Sequence, residues 1–162
     1  MSVDRRSVSK QIGTRIEDVV IAAFDELEAV EDTDADWHDA VTTSVLEPGD
    51  GLLAATTLVE RGTPVEIKGA SETVSLGADG RWYVKERAHT RLVEASGVYL
   101  LVVYVDDEGE DHAVRMLVPA SILDEHITTW IRAPDSRNEG RYAQIRWSRV
   151  VDPKHVEGGT SC

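Results

Sequence analysis

Two stretches of this chain carry side chains whose types and spacing could act on a phosphodiester. Asp50 stands in the turn Glu47-Pro48-Gly49-Asp50-Gly51, and Glu66-Ile67-Lys68 follows in a strand-like run. Residues two apart on a strand project to the same face, so Glu66 and Lys68 would point together. With Asp50 at the end of an adjacent strand, two carboxylates and one ammonium would converge. A hard cation such as Mg²⁺ or Mn²⁺ prefers oxygen ligands and keeps waters that a substrate phosphate can displace. It can activate a water for attack, while a lysine offsets charge on the phosphate. The triplet alone is weak, because 30 acids and four lysines in 162 residues place an acid two residues before a lysine about 0.7 times by chance. Context sharpens it: Lys68 is one of two lysines between residues 11 and 153, in an apolar run where lysine is disfavoured. The competing reading makes Glu66 and Lys68 the solvated face of an edge strand.

The elements that would position these groups can be read from periodicity. Ile16, Val19, Val20, Ala23, Phe24 and Leu27 fall on one helical arc, which predicts a helix from about Gly13 to Val30. Asp39–Leu46, Leu52–Val59 and Val65–Lys68 read as strands separated by turns at Glu47–Gly51 and Gly62-Thr63-Pro64. Trp82–Val84 is a short aromatic strand, and Lys85–Ser96 a second helix with Gly97 as its stop. Val98–Val105 is the most apolar run and predicts a central buried strand. His112–Val118 would lie beside it, followed by a helix over Ser121–Trp130 and a strand over Tyr142–Val151. These elements make an α/β domain with a central mixed sheet flanked by helices. It occupies residues 11–152, with loose ends at 1–10 and 153–162.

Composition bounds the function classes. No run approaches the ~18 apolar residues of a membrane span, and the polar N-terminus lacks a secretory apolar core. The single cysteine, Cys162, excludes an internal disulfide or a Cys-based metal site, so a cytoplasmic protein is expected. The net charge is −13, split into −10 over residues 1–60 (14 acids, 4 bases) and −3 over 61–162 (16 acids, 13 bases). A polyanion partner should therefore meet the second part. Thirteen arginines against four lysines, under a surface of Asp and Glu, suggest a halophilic protein. At ~1 M salt the screening length is only ~3 Å, so the acidity weighs little against DNA binding.

The arrangement Pro48-Gly49-Asp50, then Glu66-Ile67-Lys68, resembles the PD-(D/E)xK nuclease superfamily with its restriction-endonuclease-like core. Gly13-Thr14-Arg15-Ile16-Glu17 at the first helix is similar to the opening of archaeal Holliday-junction resolvases. Trp82-Tyr83-Val84-Lys85-Glu86-Arg87, a helix ending near Gly97, and the apolar strand after it also follow that family's order; the likeness covers residues 11–105. The resemblance implies a Mg²⁺- or Mn²⁺-dependent endodeoxyribonuclease of recombination or repair. Asp50 and Glu66 would be the principal metal ligands, Glu17 the upstream carboxylate and Lys68 the catalytic lysine. On the helical wheel Glu17 lies just beside the apolar arc. Glu26, Glu28 and Glu47 are the nearby substitutes, and the plain alternative for Glu17 is a first-turn acid complementing the helix dipole.

Arg81, Lys85, Arg87, His89 and Arg91 gather around the start of the second helix, and Arg132, Arg137, Arg141, Arg146 and Arg149 populate the C-terminal part. Arginine makes bidentate contacts to phosphate that position DNA without reading sequence, so these are the DNA-contact candidates, Arg87 and His89 foremost. Solvated faces and local pairs with Glu86, Glu94, Asp135 and Glu139 are the alternative. The acidic run Asp106–Asp111 lacks EF-hand spacing and reads as a turn, and the four tryptophans read as core residues. A resolvase-like homodimer is expected, since two symmetric cuts need two sites about a two-fold axis. The rivals are a restriction or repair nuclease of the same superfamily and a non-catalytic nucleic-acid-binding protein.

Overall fold

The computed structural model describes residues 5–30, 37–43, 59–73, 79–132 and 140–151. Helix α1 spans Arg5–Ala23 rather than Gly13–Val30. The apolar arc extends to Leu27, but the chain turns at Asp25-Glu26 and Leu27 enters the same core from strand β1, Leu27–Ala29. Burial at a periodic position fixes which side a residue faces and leaves the backbone conformation open.

Strand β1 pairs antiparallel with β2 (Ala40–Thr42), and β2 with β3 (Pro64–Ser71). The chain continues through β4 (Arg81–Lys85) and α2 (Glu86–Glu94) into β5 (Val98–Tyr104), which lies parallel to β3 along its whole length. A parallel neighbour requires a crossover of this kind. Strand β6 (His112–Pro119) returns antiparallel to β5. The main sheet therefore has the order β1-β2-β3-β5-β6. The helix expected over Ser121–Trp130 is only Ala120–Asp124 (α3). After it come β7 (Ile131–Arg132), β8 (Arg141–Arg146) and a single 3₁₀ turn at Trp147–Arg149, where a longer strand was expected. A second sheet, order β4-β8-β7, covers one face of the first.

Strand β5 is buried on both faces, as its unbroken apolar sequence demands. On one side Val65, Ile67, Leu100 and Val102 meet Ile16 and Val20 of α1 and Phe24 just after it. On the other, Tyr99, Leu101 and Val103 meet Trp82, Leu92, Leu123, Ile145 and Trp147. Each fully buried side chain of this size contributes roughly 1.5–3 kcal/mol. Trp82 and Trp147 are core residues, their indole N–H groups donating to the Val102 and Glu72 carbonyls at 2.9 Å. The acidic turn after β5 closes on itself: the Asp106 carboxylate accepts the backbone N–H groups of Glu108, Glu110 and Asp111.

Candidate active site at the open edge of β3

Strand β3 is paired with β5 from Val65 to Ser71, but with β2 only at Pro64 and Val65. Beyond Val65, among the described residues, no strand pairs with its other edge, and the chemistry-bearing residues lie there. Alternation turns Val65 and Ile67 toward α1 and sends Glu66 and Lys68 to the opposite face, beside Tyr99 and Leu101. The Lys68 Nζ stands 3.1 Å from Glu66 Oε1. Glu66 is 8% exposed, an expensive place for a carboxylate.

The other carboxylate at this edge is Asp39, immediately before β2. Its Oδ2 accepts the Ile67 N–H at 2.7 Å, replacing the ladder bond that β2 no longer supplies. Its own N–H donates to the Val65 carbonyl at 2.9 Å, so the backbone is pinned while the side chain reaches along β3. Burial pushes the Glu66 carboxyl up to about 8; Lys68 opposes this, and the negative charge of Asp39 adds to it. For Lys68, burial favours the neutral amine but is outweighed by the carboxylates of Glu66, Asp39 and Glu17, so its pKa rises and it stays an ammonium.

Two carboxylates crowded together, one of them driven toward protonation, describe a locus that lacks positive charge. One or two carboxylates suit Mg²⁺, which retains waters and takes further oxygens from a phosphate. The donor set therefore fits a hard divalent cation held by Asp39 and Glu66. Among the described residues no three His, Cys, Asp or Glu side chains group closely enough to form a larger metal cage. Glu17, half-buried on α1, acts on Lys68 through its charge.

Of the expected site residues, Glu66 and Lys68 are thus together, with Glu17 near the amine. Asp50 and its substitute Glu47 lie outside the described residues. Glu26 and Glu28 sit at the turn after α1 and on β1. Asp39 was missed, although the sequence places it at the start of an expected strand; with 30 acids to choose from, the turn carrying Pro48 and Gly49 drew attention to Asp50 instead. Arg81, Lys85, Arg87 and Arg91 are exposed. His89 is not: it is 2% exposed, ruling it out as a phosphate contact. Its Nδ1 accepts the Tyr99 hydroxyl and its Nε2 donates to Asp124 Oδ1, both at 2.8 Å, joining α2, β5 and α3.

A five-stranded mixed sheet in this order, flanked by helices and bearing an acid-x-Lys pair on its third strand, defines the α/β restriction-endonuclease-like fold. A family model described as PD-(D/E)XK nuclease superfamily domain matches residues 3–152, and the chain belongs to that family. A search of curated proteins finds no match. Among the described residues no helix is long and apolar enough to cross a membrane.

Proposed function

We propose that the chain is a metal-dependent DNA endonuclease in which Asp39 and Glu66 hold Mg²⁺ or Mn²⁺ and Lys68 faces the scissile phosphate. The convergence of both carboxylates and the ammonium at β3 carries this reading. When bound, the cation supplies charge to the phosphate and acidifies water. Lys68, kept as an ammonium, stabilises the negative charge that develops on the phosphoryl oxygens and orients the attacking water through its N–H groups. The Ile67 N–H fixes the Asp39 carboxylate, and Glu66, with Asp39 and Glu17, holds the amine in its charged form. The domain is a single unit over residues 11–152, acting in the cytoplasm on branched DNA of the Holliday-junction type as a homodimer. The paired symmetric cuts that such a junction requires favour two copies of one site.

Cleavage of four-way junctions, flaps and linear duplex should be assayed with Mg²⁺, Mn²⁺ or EDTA across a range of KCl. Metal-dependent cutting that Lys68→Ala reduces at least ~10²-fold supports the reading. Equal cutting in EDTA, or by Lys68→Ala, would overturn it. Preference for linear duplex would retain the nuclease and remove the junction, and sedimentation at the monomer mass would remove the dimer.

A further inference from the structure

The second sheet turns one face inward, with Trp82, Val84, Ala143 and Ile145 in the core. Its outward face is built from the cross-strand pairs Arg81–Arg146, Tyr83–Gln144 and Lys85–Tyr142. Tyr83 is 56% exposed, an unusual position for a large ring. It stacks on Tyr142 with centroids 6.1 Å apart and an interplanar angle of 27°. At one end of the face Arg81, Arg146 and Arg149 surround a shallow depression with Gln144 and Ser148, and no carboxylate lines it. Arg81 donates to Gln144 Oε1 at 2.8 Å, and among the described residues none of the three arginines is ion-paired. The neighbouring Asp79 accepts the Ser148 hydroxyl. In a chain of net charge −13, a face of guanidinium, amide and phenol groups is a marked local inversion.

A cleft of about 500 Å³ adjoins this face, between Ile16 of α1, Gly69 and Ser71 on β3, and Arg81, Tyr83 and Gln144 of the second sheet. Gly69 follows Lys68 in β3 but faces Ile16 of α1, on the opposite side of the strand from the Glu66–Lys68 pair.

We propose that the outward face of β4 and β8 is a binding platform for single-stranded DNA, with phosphates held in the Arg81–Arg146–Arg149 depression and bases stacked on Tyr83 and Tyr142. The cleft that adjoins the face extends the surface available to the strand. Charge complementarity selects a polyanion, and the rings select a strand with free base faces, because a duplex conceals those faces inside its stack. The assignment rests on the nuclease reading for its purpose, while binding can be measured without cleavage.

The test is fluorescence anisotropy of a labelled oligothymidylate of about 20 nucleotides, titrated with the full chain in EDTA over a series of KCl concentrations. Tyr83→Ala should weaken binding about tenfold or more, and Tyr83→Trp should restore it. Arg81→Ala/Arg146→Ala should flatten the slope of log affinity against log salt by about 1.4, the value for two lost single-strand phosphate contacts. Unchanged binding by both platform variants would overturn the proposal, as would tighter binding of the matching duplex than of the strand. A change in sedimenting mass of Tyr83→Ala alone, with DNA affinity unaltered, would also overturn it by making the face a contact between copies. Intact strand binding by a wild type that cleaves nothing would sink the nuclease reading and leave the platform standing.

Discussion

Asp39 is the residue on which the candidate site turns. Its carboxylate is fixed on the edge of β3 by the Ile67 N–H, so Asp39→Asn preserves shape while halving the anionic donor set. Cleavage by Asp39→Asn should fall ~10²-fold or more in a metal-dependent cleavage assay, and wild-type rates would remove Asp39 from the site; the same assay on Asp50→Asn tests the carboxylate expected from the sequence. Glu66 gives a prediction independent of activity. Its pKa is raised by burial, so the folded state holds a proton that the unfolded state releases near 4.5. The contribution to stability is thus fully present below that value and is lost as pH rises through about 8. In EDTA the melting temperature of the wild type, relative to Glu66→Gln, should decline between pH 5 and about 9. Parallel pH profiles for the two proteins would show that Glu66 is not held protonated.

At the scale of elements, the C-terminus of α2 shows how local geometry is imposed from outside. The helix ends in a Schellman arrangement: the Ser96 N–H donates to the Val93 carbonyl at 3.1 Å and the Gly97 N–H to the Leu92 carbonyl at 2.7 Å. The left-handed position is Ser96, with φ 54°, not the glycine after it. Gly97 is small for another reason: a Cβ there would overlap Leu92 Cδ1 and press on the Pro64 carbonyl. Ser96→Gly should therefore stabilise by about 0.5–1 kcal/mol, and Gly97→Ala should destabilise by about 1–3 kcal/mol, both measurable by urea denaturation. The same distinction governs what the sequence revealed. Strands β3 and β5 and helix α2 were legible because each concentrates its signal in a few adjacent residues. The ends of α1, the brevity of α3 and the position of Asp39 were not, because they depend on which strand stops pairing and where. His89 likewise looked like a surface cation in sequence, and only its neighbours Tyr99 and Asp124 make it a buried linker.

For the whole molecule, charge repulsion opposes folding. A net −13 on 162 residues, ten units of it in the first 60, makes compaction repulsive at low ionic strength. The salt bridges that tie α1 to the turn after β5, Arg15 to Glu108 and Glu110 at 3.6 Å, are exposed and contribute little. Raising KCl from 0.1 M to 1 M shortens the screening length from ~10 Å to ~3 Å, below the spacing of most surface charges. The melting temperature should accordingly climb by several degrees over that interval and level off beyond it. A rise that continues linearly to higher salt would instead mark strengthened burial of apolar surface, and would remove charge repulsion as the cause. Salt acts in the opposite sense on any phosphate contact, so the conditions that favour folding weaken electrostatic capture of DNA. A protein under both demands gains from holding DNA by stacking, which depends little on ionic strength. Among the described residues, exposed Tyr83 stacked on half-buried Tyr142 is suited to that task.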